Sequence, residues 1–235
     1  MIGAGNEILR EGRRVRMVEG QYRRSGDSGR IGASLLLLAG GRGLRMGGNK
    51  LFLAVDGRPV LDFFLSSVAP LFAGTVLCVG AGECDDARRF LGGLGDAGVV
   101  IASDRLAGRG PLEGLRQGLA AMATEWGFLL GVDMLTVREA VIRQMWAQTP
   151  LSADVCAFFE DKRPNALHAF YRRTCVPHID AQMASGERTR RGGAKIISFF
   201  GSVHVHRVTP ADLSHLPGYA RSFENFNSPE DLSRL

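Results

Sequence analysis

A glycine-rich, cationic segment near the start of the chain has the residue types that bind a polyphosphate. This glycine-rich segment, residues 38–50, reads Leu-Ala-Gly-Gly-Arg-Gly-Leu-Arg-Met-Gly-Gly-Asn-Lys and ends a run of four leucines. Its glycines let backbone N–H groups turn toward an anion at φ values that other residues resist. Arg45 and Lys50 add positive charge that suits phosphate oxygens. The segment therefore predicts a nucleotide site, with a plain mobile turn as the alternative.

Two common glycine-rich motifs do not match this segment. A P-loop needs G-x-x-x-x-G-K-[ST], but here Asn49 separates Gly48 from Lys50, and Leu51 replaces the hydroxyl that binds magnesium. The dinucleotide pattern G-x-G-x-x-G fails at Met46. A P-loop or dinucleotide fold is therefore not expected.

Two acidic residues that follow later apolar runs are candidate ligands for a substrate or a metal. Asp104 comes after the run at 99–102, and Asp133 comes after the run at 128–132. Magnesium prefers one or two carboxylates together with phosphate oxygens, so we expect Asp133 to hold Mg²⁺ against the nucleotide phosphates. The alternatives are that Asp133 caps a helix starting at Thr136 and that Asp104 is a turn residue.

Two further elements have residue types suited to ligand contact. In Gly-Pro-Leu-Glu-Gly-Leu, residues 110–115, the proline predicts a helix N-terminus, which favours phosphate. Gly110 and Gly114 allow a ligand to approach closely, although helix–sheet packing explains Gly114 equally well. Asn225 and Asn227 carry amides that suit a heterocycle, a phosphate or a metal, and turn-forming asparagines fit the pattern as well.

Alternating apolar strands and amphipathic helices must position these residues. The pattern predicts strands at 34–39, 75–79, 99–102 and 128–132 and helices at 60–71, 83–91, 111–122 and 136–146. Such alternation is typical of a parallel sheet with helices on both faces, where ligands bind at the carboxyl ends of the strands. Asp104, Asp133 and the glycine-rich segment all fall at such ends.

The part of the chain beyond residue 150 is expected to extend the same domain over the site. It has predicted strands at 154–159, 163–164 with 167–171, and 203–208 (an edge strand), and predicted helices at 179–184 and from Ser228. His168 is expected to be a partly buried strand residue. Nothing in the sequence pairs it with a nucleophile, so triad chemistry is not expected.

Length, composition and cysteine content restrict the class of protein. At 235 residues, with 45% hydrophobic and 23% charged residues, the chain fits one globular α/β domain with an appendage. No apolar run is long enough to cross a membrane. The four cysteines form no C-x-x-C pair and the histidines complete no zinc spacing. Reduced cysteines and a cytoplasmic location are therefore expected.

Residues 1–32 are predicted to be a flexible basic extension with a short helix around 7–18. They contain seven arginines and four acidic residues, a net charge of +3 out of +5 for the whole chain. The remaining residues are nearly neutral, so the basic character of the chain is weak evidence for nucleic-acid binding. An unstructured leader is expected, and a tail that contacts an acidic partner or RNA is the alternative.

With these motifs in place, the chain resembles the molybdenum cofactor guanylyltransferase family of MobA-like nucleotidyltransferases. The matching stretches, in the order of the family, are 38–50, 110–115, Asp133, 163–164 with 167–169, 186–188 and 225–232. The ending Asn-x-Asn-Ser-Pro-Glu-Asp-Leu together with a front Leu-Ala-Gly-Gly is a specific pairing. The second glycine of the front motif and residues 110–115 favour the guanylyl branch over related cytidylyltransferases.

The resemblance implies a Rossmann-like three-layer α/β/α nucleotidyltransferase fold, with a mostly parallel sheet, formed by residues 33–235. It implies magnesium-dependent transfer of GMP from GTP to the phosphate of the molybdenum-pterin (molybdopterin) cofactor, with release of pyrophosphate. A molybdoenzyme or its accessory chaperones would be further partners. Two other interpretations stay open: transfer of another nucleotide, such as a cytidylyl group, and a non-catalytic protein that binds the cofactor during molybdoenzyme maturation.

The resemblance also implies roles for individual residues. It implies that the nucleotide is contacted by Leu38, Ala39, Gly40, Gly41, Asp104 and Gly110. Its phosphates would be neutralised by Arg45 and Lys50. Asp133 would bind both nucleotide and magnesium, so that Arg45, Lys50 and Asp133 form the catalytic set. Gly114, Asn225 and Asn227 would lie on the acceptor side.

Two positions depart from the family pattern. The family often has Asp-x-Pro after the fourth strand, whereas Met134, Leu135 and Thr136 follow Asp133 here. An asparagine that the family has after the second strand is replaced here by the sequence Gly-Ala-Gly at 80–82.

Overall fold

The structure, a computed structural model, describes residues 7–10, 13–16, 29–39, 42–43, 48–49, 54–55, 57–93, 98–186 and 194–226. For 7–10, 13–16, 42–43 and 48–49 it describes the backbone alone.

A seven-stranded sheet forms the centre of the protein. Its strands are β1 (Ile31–Leu38), β2 (Phe72–Val79), β3 (Val99–Ser103), β4 (Trp126–Gly131), β5 (Val155–Glu160), β6 (Arg163–Arg172) and β7 (Val205–Val208). Their order across the sheet is β7-β5-β6-β4-β1-β2-β3. All neighbouring strands are parallel except at β6, which runs antiparallel to both β4 and β5.

The helices cover both faces of this sheet. They are α1 (Val60–Phe63), α2 (Cys84–Gly93), α3 (Pro111–Ala121), α4 (Glu139–Gln148), α5 (Cys175–Ala184) and α6 (Pro210–Leu213). A π-helical turn (Phe64–Val68) and a 3₁₀ turn (Ala69–Leu71) continue α1, and further 3₁₀ helices span Ile196–Ser202 and Tyr219–Phe223. Within the described residues no helix is both long and apolar enough for a membrane crossing.

Strand β1 shows why two separate cores form. Side chains alternate across a strand, so Leu35 and Leu37 pack in the core with α1, α2 and α4, whereas Leu36 and Leu38 pack in the core with α3 and α5. A run of four leucines is therefore buried on both faces, as is typical of a parallel strand covered by helices. The predicted three-layer α/β/α fold with a mostly parallel sheet is confirmed.

The helix predicted around residues 7–18 is wrong. Glu7–Arg10 and Arg13–Arg16 pair as an antiparallel ladder, with Ile8 opposite Val15. β-branched residues favour strands, and Gly12 costs about 1 kcal/mol against alanine inside a helix. The central sheet begins at Ile31, slightly before the predicted domain boundary at residue 33.

The first residues of two helices, α4 and α5, also differ from the prediction. Helix α4 begins at Glu139 rather than at Thr136, whose hydroxyl instead donates to the carbonyl oxygen of Arg221 at 2.5 Å. Helix α5 begins at Cys175 rather than at residue 179. Pro177 lies in its first turn, where the missing N–H leaves no helical hydrogen bond unmade.

Candidate functional site

The topology of the sheet brings the strongest candidates to one place. The chain runs outward from β1 through β2 to β3 and then returns to β4 on the opposite side of β1. In sheets of this kind ligands bind outside the carboxyl ends of the strands, at the point where the order reverses. The glycine-rich segment follows β1 and Asp133 follows β4, so both lie at this reversal.

The four strand ends lie level with one another and form a row. Ala39 donates its N–H to the carbonyl oxygen of Cys78 at 2.9 Å, and Asp104 donates its N–H to that of Val79 at 3.0 Å. On the other side, the last residues of β4 and β1 are paired. We call Asp133, Ala39, Gly80 and Asp104, in this order, the strand-end row. With strands about 4.8 Å apart, it spans about 14 Å, long enough for phosphates, ribose and base in succession.

Asp133 lies at one end of the row in a space that a glycine provides. Its side chain is only 7% exposed, and a Cβ added to Gly131 would lie 2.5 Å from its Oδ1 atom. Met134 donates its N–H to the carbonyl oxygen of Gly131 at 3.1 Å, which forms a tight turn without the proline of the family pattern. Because α4 starts at Glu139, Asp133 does not cap a helix beginning at Thr136.

The surroundings of Asp133 fit a magnesium ion held largely by its substrate. Mg²⁺ is usually bound through one or two carboxylates, with water and phosphate oxygens as the other ligands. Among the described residues no group of three or more His, Cys, Asp or Glu side chains gathers as a metal cage. One carboxylate in a glycine-lined niche at the end of a strand is the donor set that such an ion needs.

Asp104 lies at the other end of the row among further carboxylates. Burial raises the pKa of Asp104 from 3.8 to about 7, and the negative charges of Glu113 and then Glu83 add to the shift. Glu113 is buried, and its Oε1 accepts the N–H of Arg105 at 3.1 Å and the side-chain amide of Gln117 at 2.7 Å. The Asp104 end of the strand-end row is therefore acidic and suits ligand groups that donate hydrogen bonds.

Two of the glycines of helix α3 and its N-cap, Gly110 and Gly114, lie at the end of the helix that begins near the row. Gly110, at its N-cap, has a φ of 81° in the left-handed region that favours glycine. A Cβ on Gly114 would lie 2.5 Å from Cδ1 of Leu38 and 3.7 Å from Oδ1 of Asp104. The structure thus brings Gly114, Leu38 and Asp104 together, and Gly110 caps the same helix. Gly114 lies on the Asp104 side of the row, and the acceptor contact expected for it stays a prediction.

Asn225 lies beside Asp133 on the opposite side of the row from Asp104. The N–H of Phe226 donates to the carbonyl oxygen of Asp133 at 2.8 Å, and Phe226 is buried while Asn225 is exposed. Because β6 is antiparallel to β4, its first residues lie at the same edge as Asp133. Asn225 and these residues line a cavity of about 360 Å³, the β5–β6 cavity, with the lining residues Phe158, Glu160, Arg163, Pro164, Asn165, Ala166, Leu167, Phe223 and Asn225.

His168 makes contacts that join three parts of the structure. It is fully buried, more so than expected, and burial lowers its pKa to about 3. Arg138 donates its N–H to Oγ of Ser222 at 2.9 Å, and the same Oγ lies 3.1 Å from Nε2 of His168. The neutral imidazole, Ser222 and Arg138 therefore join β6, the start of α4 and the C-terminal residues that precede Asn225.

Five predicted site residues lie outside the described residues, as does the helix expected from Ser228. They are Gly40, Gly41, Arg45, Lys50 and Asn227. Within the glycine-rich segment, the described backbone pairs Arg42 with Asn49 and Gly43 with Gly48 in a short antiparallel ladder.

Sequence reasoning missed two residues that shape the site, Gly131 and Glu83. The signal for Gly131 was a glycine two positions before a strand-end aspartate. Glu83 follows β2 in the sequence, as Asp104 follows β3, but it was counted only as the start of a helix. A comparison of the residues around the end of each predicted strand would have identified both as candidates.

Comparison with known proteins shows which family the chain resembles. Residues 35–203 match the family described as the MobA-like NTP transferase domain. A molybdenum cofactor guanylyltransferase from Yersinia pestis (strain Pestoides F) is 27% identical over 198 residues, which cover 83% of this chain and 91% of the relative. A probable molybdenum cofactor guanylyltransferase from Methanothermobacter thermautotrophicus is 27% identical over 202 residues, 85% of this chain and 96% of the relative.

A solved structure shows the same fold. Molybdopterin-guanine dinucleotide biosynthesis protein A from Archaeoglobus fulgidus superposes with a TM-score of 0.67 at 20% identity, covering 86% of this chain and 95% of that one. The family match extends from β1 to the 3₁₀ helix before β7 and so includes Asp104, Asp133 and the glycine-rich segment. The chain therefore belongs to the MobA-like NTP transferase family.

Proposed function

We propose that this protein transfers GMP from GTP to the phosphate of the molybdopterin cofactor, releasing pyrophosphate. Two relatives that share most of their length with this chain are named as guanylyltransferases of this cofactor. The observation that carries the proposal is the position of Asp133, between the glycine-rich segment at the reversal point and the β5–β6 cavity. A nucleotidyl donor and an acceptor would meet at this carboxylate.

The nucleotide would lie along the strand-end row, with its phosphates toward Asp133 and its nucleoside toward Asp104. Backbone N–H groups of the glycine-rich segment would cradle the phosphates, as glycine-rich turns do for anions. The proposed nucleotide contacts are Leu38, Ala39, Gly40, Gly41, Lys50, Asp104, Gly110 and Asp133. The carboxylates around Asp104 support this direction, since they would repel phosphates and accept hydrogen bonds from a nucleoside.

Asp133 would hold Mg²⁺, which when bound neutralises phosphate charge. Gly131 leaves the space that the Asp133 carboxylate occupies at the end of β4. Arg45 and Lys50 would neutralise charge on the phosphates and on the departing pyrophosphate.

The acceptor would occupy the β5–β6 cavity beside Asn225. Phe158 and Phe223 stack there with their ring centroids 3.9 Å apart, and Asn225 and Arg163 add polar groups to an apolar wall. Such a mixed surface suits a flat heterocycle that carries a phosphate. Asn227 is proposed as a further acceptor contact.

The reaction needs positioning more than covalent catalysis. An oxygen of the acceptor phosphate would attack the α-phosphorus in line, forming a new P–O bond while the bond to pyrophosphate breaks. If donor and acceptor are held on the two sides of Asp133, they no longer have to meet and orient in solution, which lowers the entropic part of the activation barrier. The protein would stabilise the developing charge without a covalent intermediate.

A transfer assay with α-labelled nucleotides tests the proposal. With molybdopterin and Mg²⁺, we expect label from GTP to appear in the pterin product together with an equal amount of pyrophosphate. Equal or better transfer from CTP would support the cytidylyl alternative. Tight binding of the cofactor without transfer from any of the four NTPs would support a non-catalytic accessory protein.

A further inference from the structure

Asn165, in the wall of the β5–β6 cavity, has a side-chain amide that connects two parts of the chain. Its Oδ1 accepts the backbone N–H of Leu167 at 3.2 Å, and its Nδ2 donates to the carbonyl oxygen of Phe223 at 3.4 Å. Only this orientation suits both neighbours, because a reversed amide would set N–H against N–H and oxygen against oxygen. The amide therefore connects the start of β6 to the C-terminal part of the chain in one defined direction.

The C-terminal segment 223–226 is held at both of its ends. At its first residue, the carbonyl oxygen of Phe223 accepts the amide of Asn165. At its last residue, the N–H of Phe226 donates to the carbonyl oxygen of Asp133 at 2.8 Å, and the side chain of Phe226 is buried. The segment therefore bridges the start of β6 and the residues that follow β4.

Asn225 is an exposed residue inside this bridge. Only Glu224 and Asn225 lie between the two held residues, and the ring of Phe223 is fixed further by stacking on Phe158, with centroids 3.9 Å apart. Ordering a residue costs conformational entropy, so a segment that is ordered before a ligand arrives allows tighter binding than one that the ligand must order. Asn225 lines the cavity and is thus presented to a ligand at reduced entropic cost.

A second hydrogen bond to this half of the chain has a different effect. Thr136 donates its hydroxyl to the carbonyl oxygen of Arg221, within the 3₁₀ helix Tyr219–Phe223. Asn165 instead holds the last residue of that helix, after which the segment containing Asn225 begins. Loss of the Asn165 bond should therefore free this segment, whereas loss of the Thr136 bond should loosen only the helix before it.

We infer that Asn165 is a positioning residue for the acceptor: by holding Phe223, it presents the amide of Asn225 to molybdopterin. The inference rests on the proposed function, since it takes the β5–β6 cavity as the acceptor site and Asn225 as an acceptor contact. Asn165 acts on the acceptor through Asn225.

Equilibrium binding of molybdopterin to the full chain tests this assignment without turnover. Asn165→Ser is the informative variant, because a serine hydroxyl accepts the Leu167 N–H in a local turn but is too short to reach Phe223. Anaerobic isothermal titration should show a Kd for molybdopterin about 3- to 10-fold above that of the wild type, as expected for one lost hydrogen bond. The Kd for GTP with Mg²⁺ should be unchanged.

A double-mutant cycle separates positioning from a general structural effect. If Asn165 acts through Asn225, the double variant Asn165→Ser/Asn225→Ala should bind molybdopterin within about twofold of Asn225→Ala alone. Thr136→Val, the control, should keep the wild-type Kd. Melting temperatures show whether each protein is folded. Should Asn165→Ser fail to fold, Asn165→Thr, which is better suited to a strand, takes its place.

The outcomes distinguish this inference from the proposed function. If folded Asn165→Ser binds molybdopterin as tightly as the wild type, or if the losses of the two single variants multiply in the double variant, Asn165 does not act through Asn225. An equal rise in Kd for Thr136→Val would also overturn the inference, because any loosening of this half would then suffice. Each of these results leaves guanylyl transfer by the wild type untouched. If the wild type binds no molybdopterin, the proposed function is overturned and the inference falls with it.

Discussion

Phe226 donates its backbone N–H to the carbonyl oxygen of Asp133 at 2.8 Å, which joins the C-terminal end of the described chain to the end of β4. The side chain of Phe226 is buried in the core, so this junction is anchored from both sides. Asn225 is thereby held next to the proposed metal ligand. The proposed donor and acceptor sides of the site would consequently be positioned by one short stretch of backbone.

Removal of the Asn225 amide should weaken binding of the acceptor without affecting binding of GTP. For Asn225→Ala we expect KM for molybdopterin to rise about 10-fold, the effect of one lost hydrogen bond, with an unchanged Kd for GTP. Steady-state kinetics and nucleotide titration measure the two. Ser214→Ala, in an exposed turn of the same half, serves as the control. An equal loss of GTP binding would place Asn225 on the nucleotide side instead.

A methyl group at Gly131 should displace the Asp133 carboxylate. Its Cβ would lie 2.5 Å from Oδ1 of Asp133, whereas a Cβ on Gly201 would meet nothing within 4 Å. Gly131→Ala should lower kcat about 10- to 100-fold, because small misplacements of reacting groups cost rates of that order. Gly201→Ala should keep wild-type kcat. Wild-type kcat in a folded Gly131→Ala would contradict this account of the niche.

Two helical glycines, Gly114 and Gly92, should respond to alanine substitution with opposite changes in stability. A Cβ on Gly114 would lie 2.5 Å from Cδ1 of Leu38, whereas one on Gly92 meets open space. Overpacking typically costs about 1–3 kcal/mol, so Gly114→Ala should lower the free energy of unfolding. Gly92→Ala should raise it by about 0.5–1 kcal/mol. Urea denaturation measures both, and a stabilised Gly114→Ala would refute the close packing of α3 on β1.

Asp104 should make stability fall as the pH rises toward neutrality. Its pKa is raised from 3.8 to about 7, so the folded protein holds this proton more tightly than the unfolded chain does. The resulting stability is fully present below about pH 4 and is lost as the pH rises through about 7. Asp104→Asn lacks this titration, so its melting temperature relative to the wild type should rise between those two pH values. Calorimetry that shows a constant difference would contradict the raised pKa.

Much of the sheet was predictable because short apolar runs in the sequence identify its strands. The leucine run of β1 and the apolar runs of β2 and β4 are buried on both faces, the edge strand β3 is partly buried, and strand-end acids follow β3 and β4. Once parallel strands alternate with helices, the positions of Asp104 and Asp133 at one edge follow from topology. The Gly110 turn was predictable too, from a glycine before a proline at a helix start.

The features that the sequence did not reveal depend on residues far apart in the chain. Thr136 and Arg138 are held by Arg221 and Ser222, so α4 begins later than its local pattern indicates. The bond between Phe226 and Asp133 is equally non-local. No periodicity or motif encodes such contacts, because they depend on how distant segments pack together.

The charge of Asp133 provides the most direct test of the central claim, nucleotidyl transfer at the end of β4. Pyrophosphate release from GTP, with molybdopterin and Mg²⁺, should be compared for the wild type, Asp133→Asn and Asp161→Asn. Asp161 lies in the exposed turn between β5 and β6, so its variant controls for the loss of one negative charge. We expect Asp133→Asn to be slower by roughly 100-fold or more, with Asp161→Asn unchanged. Asp133→Asn that releases pyrophosphate at the wild-type rate would contradict the account.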